Sequence, residues 1–301
     1  MTRLALTLLL LLLTPLLLLG CQQVRLSPAA ELAPKPLGTI RIATWNVHYI
    51  WLEQEVGDWG LSGWEARKDP MDATLKALGA DIIAFQEMES FARGGDRNVN
   101  LTRDFLLARN PDFAAAATGD ARVEPPTQPI FYRPDVFELL DDGWFHFSPT
   151  PDVLYSRGFD GASPSFASWA IFRTRASGAV FRVLNIHPDA FSRVNRVASA
   201  KLTATRLKPW LDAGERVILL GDFNARAGSV IHAEFEALGM TFPPVPGATY
   251  HLNRGLHAFG AIDHIGANDP SIFASDPVVF NRKLGEVWPS DHHPVVLDFT
   301  L

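Results

Sequence analysis

Cysteine is almost absent from this chain, with Cys21 the only one among 301 residues. No intramolecular disulfide can form, and no thiolate cluster is available for zinc or an iron–sulfur centre. The His-x-x-x-His spacing that sets two zinc ligands on one helical face is missing as well. Positive charge is in deficit: 27 Lys and Arg stand against 33 Asp and Glu, for a formal net charge of −6. That balance argues against indiscriminate nucleic-acid binding, which depends on many phosphate-neutralising cations. From Thr39 to Leu301 no low-complexity stretch or linker interrupts the chain. Such a length suits one large domain, since α/β and sandwich folds often reach about 250 residues.

The one long apolar run is N-terminal, "MTRLALTLLLLLLTPLLLLGCQQ". A single cation, Arg3, precedes the leucine-rich stretch Leu4 to Leu19. The stretch is short for a membrane span and fits the core of a signal peptide. It resembles a bacterial lipoprotein signal, in which a small residue precedes a cysteine that is lipidated after cleavage. The expected organisation is a signal peptide over 1–20, a Pro- and Ala-rich tether over 21–38 beginning with lipidated Cys21, and a domain over 39–301. The protein is then expected outside the cytoplasm as a monomer on a lipid anchor. In a Gram-negative cell, Gln22 fits the outer membrane.

Two passages share one layout. "TIRIATWNVH" is a β-branched run ending in Asn46 and His48; the helix-like "WEARKDPMDATLKAL" follows, then "GADIIAFQE" ends in Glu87. "AVFRVLNIHPD" ends in Asn185 and His187; a helix-like segment runs from about Ser192 to Leu211, then "GERVILLGDFN" carries Asp222 and Asn224. Each unit reads strand, helix, strand. Duplicated units of this kind suggest two sheets packed face to face with helices outside, their strand exits gathered along one edge. A fifth polar exit is "GAIDHIGA", with Asp263 and His264, and "SDHHPVVLDF" brings Asp291 and His292 ahead of a last strand over 295–299. Carboxylates and asparagine amides are hard oxygen donors, suited to Mg²⁺ or Mn²⁺.

In order along the chain, "TWNVH", "FQE", "LNIHPD", "LLGDFNA", "IDHI" and "SDHHPV" resemble the motif series of the endonuclease/exonuclease/phosphatase superfamily, the deoxyribonuclease-I-like fold. The resemblance spans about residues 39–301. It implies a four-layered α/β sandwich, two packed mixed β-sheets flanked by helices, and divalent-metal-dependent hydrolysis of phosphoric esters. It implies that Glu87 is the principal metal ligand, with Asn46 and Asp291 near the metal or its waters. Asp222 and Asn224 position and deprotonate the attacking water. His292 contacts the scissile phosphate, oriented and kept cationic by Asp263, while His187 serves the leaving-group side with Asn185 beside it. Phosphoryl transfer asks for these parts: neutralised non-bridging oxygens, an in-line nucleophile and a stabilised leaving group. His293 and His264 read as packing residues, and His48 as either a phosphate contact or a cleft wall.

Substrate is less legible. Trp51, Trp59 and Trp64, and the aromatic-rich stretch 143–170, lie between the motif strands. They suit base stacking, a lipid headgroup or simply the core. Arg193 and Arg196 follow "NIHPD" closely and are candidates for a phosphate, against a reading as a solvated helix face. The expected activity is a phosphodiesterase acting on an extracytoplasmic phosphoester, either a lipid headgroup or nucleic acid. A secreted nuclease comes second, and a non-catalytic binding lipoprotein is the alternative from a different class. The "DHH" tripeptide also invites the DHH phosphoesterases, whose motif lies deep in an N-terminal domain; here it nearly ends the chain.

Overall fold

In the computed structural model, residues 31–92 and 98–301 are described. The signal-peptide and Cys21 expectations fall outside these residues. The apolar runs become strands where β-branched and aromatic side chains can be covered on both faces. The first half supplies β1 (Ile40–Asn46), β2 (Ile50–Trp51), α1 (Leu61–Leu78), β3 (Ile82–Gln86) and β4 (Ser90–Phe91). Next come α2 (Leu101–Arg109), β5 (Ala114–Ala116) and β6 (Ile130–Tyr132). The second half supplies β7 (Phe137–His146), β8 (Phe166–Thr174), β9 (Val180–Ile186), α3 (Arg193–Asp212), β10 (Val217–Asp222) and α4 (Val230–Glu236). The chain closes with β11 (Asp263–Ala267), β12 (Val278–Val279) and β13 (Val295–Phe299).

A six-stranded sheet runs β12-β13-β1-β3-β6-β5, and a five-stranded sheet runs β11-β10-β9-β8-β7. Both are mixed: β1 pairs parallel with β3, and β9 parallel with β10, while their other neighbours run antiparallel. The core between the sheets holds Ile42, Ala84, Phe172, Val183, Leu220 and Leu297. A second core lies between the first sheet and α1 and α2, and a third between the second sheet and α3 and α4. The result is the expected four-layered α/β sandwich.

The parallel pairs explain why chemistry gathers at one edge. β1 and β3 end at Asn46 and Gln86 in register, and β9 and β10 end within one step of each other. One of the five expected exits is reversed. Asp263 opens β11 opposite Asp222 rather than closing a strand, while Asp291–His292 lie just ahead of β13 as expected; both strands run antiparallel to their neighbours. They reach the same edge from the other direction. At the far edge, residues expected as tether dock on the domain. Lys35 Nζ lies 2.6 Å from Asp81, and Arg41 donates to Ala33 O while pairing with Asp298.

Candidate active site

Asp222 lies at the centre of the edge where the sheets meet, buried at the end of β10. The glycine of "GDFN" sets it there. Gly221 has φ 140°, and a Cβ at this position would lie 2.0 Å from Ile186 O, so only glycine lets β10 approach β9 this closely. Asp222 Oδ1 accepts from the Asn224 backbone N–H at 2.8 Å. Its Oδ2 accepts from Asn46 Nδ2 at 3.2 Å and lies 3.7 Å from both His187 Nε2 and His292 Nε2. Glu87 Oε1 accepts from the same Asn46 amide at 3.0 Å and lies 3.7 Å from His187 Nε2.

His292 Nδ1 donates to Asp263 Oδ2 at 2.9 Å, both groups being buried. Burial alone would lower the His292 pKa, but Asp263 first and then Asp222 hold it well above its usual value. Burial, reinforced by Asp263, pushes the Asp222 carboxyl up, while His292 and His187 oppose the rise. Asp291 is 7 % exposed; Ser290 Oγ lies 3.4 Å from its Oδ1 but gives its proton to Asn46 O at 2.6 Å. Burial raises its pKa to about 6; His292 opposes this and Glu87 adds to it. Four carboxylates, Glu87, Asp222, Asp263 and Asp291, thus crowd one edge with few donors between them.

This donor set suits a hard dication. Glu87, held by the Asn46 amide, and Asp291, with no close side-chain donor, are free to take a cation, and a divalent charge between them would offset the burial and the Glu87 repulsion that raise Asp291. Asp222, Asp263 and His292 also offer ligand atoms within 4.8 Å of one another. There, however, His292 has committed Nδ1 to Asp263 and faces Asp222 as a charged donor, an ion pair rather than a metal cage.

The signature of the endonuclease/exonuclease/phosphatase family matches residues 43–292. The chain belongs to that family. No curated protein matched the chain. Among solved structures, it resembles an endonuclease/exonuclease/phosphatase family protein of Bacteroides thetaiotaomicron at 24 % identity and TM-score 0.72, covering 87 % of this chain and 97 % of that one. It also resembles a mannosyl-6-phosphatase of Bacteroides thetaiotaomicron at 24 % identity and TM-score 0.71, covering 87 % and 100 %. Sphingomyelinase C of Streptomyces griseocarneus matches at 15 % identity and TM-score 0.61, covering 86 % and 99 %. These likenesses establish the shared fold.

Within this family fold, Asn46, Glu87, His187, Asp222, Asn224, Asp263, Asp291 and His292 all reach the one edge. Asn46 does so with its amide N–H groups toward Glu87 and Asp222, while its oxygen accepts from His48 N–H at 3.1 Å. It clamps the two carboxylates. Asn224 turns its side chain to Pro188 O at 3.0 Å and so ties the loop after β9 to the loop after β10.

Two of the substrate candidates are engaged by the protein itself. Asn185 is 0 % exposed; its amide donates to Phe85 O and Ser168 Oγ and accepts from Gln86 Nε2 at 2.7 Å. It rivets one sheet to the other and cannot touch a ligand. Arg196 gives Nη1 to Asp189 O and Ala190 O at 2.9 and 2.8 Å and so braces the loop after His187. His48 is not a phosphate-binding cation either: burial, with Arg67 nearby, lowers its pKa to about 3. His264 bonds Ala225 O and packs on Phe223 and His232, and His293 stacks on His251 at 3.9 Å, both as packing residues. The stretch 143–170 forms strands and a loop held to α3 through Asp160–Asn195 and Asp152–Arg206.

Sequence reasoning missed Arg67. Fully buried on α1, it donates to the carbonyls of Val47, His48, Tyr49 and Pro289, binding the β1 exit to the segment that carries Asp291. Burial lowers its pKa to about 10, still charged at neutrality. Ser290 was missed too: its hydroxyl donates to Asn46 O at 2.6 Å and accepts from His292 N–H.

Proposed function

We propose that the chain is a divalent-metal-dependent phosphoric ester hydrolase acting by in-line attack of an activated water, with a phosphodiester as the preferred ester. The observation that carries this reading is the meeting of Glu87, Asp222 and the His292–Asp263 pair at one edge. Relatives of the fold named as a mannosyl-6-phosphatase and as a sphingomyelinase C support phosphoester chemistry.

Glu87 and Asp291, with Asn46 alongside, are the residues that would hold the metal, Mg²⁺ by preference and Mn²⁺ as the substitute. When bound, it supplies positive charge to the non-bridging phosphate oxygens. The protein's own groups do the rest. Asp222, held unusually basic by burial, takes the proton of the attacking water, and the Asn224 N–H and Asn46 amide fix the carboxylate for that transfer. His292, kept protonated by Asp263, donates from Nε2 to the phosphate. His187, 3.7 Å from both Glu87 and Asp222, occupies the other flank and serves the leaving oxygen.

The site is proposed to work outside the cytoplasm, on a protein anchored through lipidated Cys21, as the leucine run and the lone cysteine suggest. The test is turnover of bis-p-nitrophenyl phosphate with Mg²⁺, with chelator and in Asp222→Ala. Loss of at least about 100-fold in both arms is expected; chelator-resistant turnover, or no turnover under Mg²⁺ or Mn²⁺, defeats the reading.

A further inference from the structure

The chain has nine histidines, of which the proposed chemistry uses His187 and His292. Three others, His251, His257 and His293, meet behind the catalytic turn. His293 directly follows His292, and in an extended segment successive side chains face opposite ways. His292 turns to Asp263, and His293 turns to the loop that follows Tyr250. Backbone bonds sew that loop to the turn: His293 N–H donates to Thr249 O at 2.8 Å, and His251 N–H to Asp291 O at 2.7 Å. His251 and His293 are both buried.

Packing accounts for the face of the His293 ring but not for its edge. The face stacks on His251 with centroids 3.9 Å apart and planes 20° from parallel, and Trp288 closes in at 5.1 Å. The edge presents Nε2, which lies 3.2 Å from His257 Nε2, the two rings standing at 88°. Two ring nitrogens this close cannot both hold a proton between them, so at least one offers a lone pair. Two imidazoles on one zinc, each at 2.0–2.1 Å, place their nitrogens about 3.3–3.4 Å apart at the tetrahedral angle. The observed pair already fits that spacing. His232 and His264 also touch, at 4.4 Å between centroids, but there His264 Nε2 is taken by Ala225 O. Nearby, His251 Nε2 and His257 Nδ1 are buried without a hydrogen-bond partner. Leftover buried ring nitrogens of this kind call for an ion or ordered water beside them.

We propose that His257 and His293 form a second metal site, for a borderline ion such as Zn²⁺, separate from the carboxylate centre and completed by water. Imidazole nitrogens favour Zn²⁺, Cu²⁺ or Ni²⁺, whereas the oxygen donors of Glu87 and Asp291 suit Mg²⁺, so ligand type sorts the ions. The bound ion clips the loop 249–257 to the catalytic turn, joining residues 36 positions apart. Tyr250, bridge-paired with His292, lies within the clipped loop. The ion touches no phosphate; it steadies the segment that carries His292. The site stands independently of the hydrolase reading.

The test is calorimetric titration of Zn²⁺ into the full chain carrying Glu87→Gln, in excess Mg²⁺, with and without His257→Gln. The first change disables the carboxylate centre, so that a difference between the two proteins reports on the histidine pair. Affinity is expected to fall at least about tenfold in His257→Gln, the smallest loss usual when even a supporting partner of a metal is removed. Zn²⁺ should raise the melting temperature of the parent and leave that of the His257→Gln protein in place. His257 is half-buried on a loop, so the metal-free variant should melt with its parent. Should it unfold instead, NMR of the parent decides: Zn²⁺ must shift the ring nitrogen signals of His257 and His293 together. Equal Zn²⁺ affinity with and without His257→Gln, or Zn²⁺ that leaves those two rings unmoved, places the ion elsewhere. Absence of binding makes the pair an ordinary N–H···N hydrogen bond. Each of these results overturns the proposal, and none bears on the Mg²⁺-dependent turnover of bis-p-nitrophenyl phosphate.

Discussion

Asp263→Asn removes one charge and almost no volume, and so isolates what holds His292 cationic. In the native protein the His292 Nδ1–Asp263 Oδ2 bond is 2.9 Å long and shielded from water, and Asp222 Oδ2 lies 3.7 Å from the other ring nitrogen. Burial works against the imidazolium; Asp263 is the largest influence in its favour. Without that charge the desolvation cost dominates, and the pKa falls toward or below the ordinary value of about 6.5. If His292 must be protonated to meet the phosphate, the alkaline limb of kcat moves from above neutrality to below about pH 7. At pH 8 the variant should lose about 10²- to 10⁴-fold. A neutral acceptor replaces a charged one, costing about 1–2 kcal/mol of stability. The sign also has a pH window. A histidine with a raised folded pKa stabilises fully below its unfolded pKa and ceases to as pH rises through the folded value, so the stability gap should be widest at pH 6 and close in alkali. The assays are kcat from pH 5.5 to 9 at saturating Mg²⁺, urea unfolding at matched pH, and NMR titration of the ring. A variant with kcat within about threefold of wild type at pH 8 and an unmoved profile refutes the reasoning.

The remaining predictions concern stability. Arg67→Met strands the carbonyls of Val47, His48, Tyr49 and Pro289, so unfolding free energy should drop by about 3–5 kcal/mol with turnover falling alongside; a loss below about 1 kcal/mol in urea denies the strap. His232, His251 and His264 are buried neutral, with burial lowering their pKa values to about 3, 3 and 4. Depressed folded values mean stability is present above the unfolded pKa and lost as pH falls, by about 2 kcal/mol per histidine between pH 7 and 5, offset by about 1 kcal/mol gained at His292. Equal urea midpoints at the two pH values would contradict this. Mg²⁺ at 100 times its dissociation constant should add about 2.7 kcal/mol, raising the melting temperature by roughly 5–10 °C, and Glu87→Gln should abolish the rise; a Glu87→Gln protein that still responds fully places the ion elsewhere.

The motif residues were legible because chemistry asks for rare residue types at strand ends, and apolar runs interrupted by Asn, Glu or Asp are visible in one dimension. Depth was not legible. Asn185 and His187 share a strand face by alternation, yet one lies inside the sheet-to-sheet core against Gln86, 99 positions away, and the other in the cleft. Direction was not legible either. Asp263 reads as a strand exit, whereas it opens a strand that runs the opposite way. Arg67 carried no signal, because a cation on an amphipathic helix normally faces water, and its four carbonyl partners come from segments 18 to 222 positions away. Arg196 shows the opposite case: proximity in sequence to "NIHPD" places it near the loop, and the loop's own carbonyls take its Nη1.

These features share a physical logic. His48, Glu87 and Asn224 all hold left-handed backbone, with φ of 61, 53 and 48°. Each follows a parallel strand by one or two residues, and each such conformation costs about 1–3 kcal/mol in a non-glycine residue. The gain is aim. A strand that continued extended would carry Glu87 past the edge of the sheet, whereas the left-handed turn brings its carboxylate within 3.0 Å of Asn46, whose amide also holds Asp222. Burying these carboxylates, and then crowding them, costs further free energy, visible in the raised Asp222 and Asp291. A sequence selected for stability alone would relax both. The inter-sheet core, Arg67 beneath the β1 exit and the Asn185–Gln86 rivet are what hold the strained edge in place. Neutralising Asp222 or Asp291 should therefore leave a protein at least as hard to unfold as the wild type, the opposite of what a structural ion-pair cluster would do.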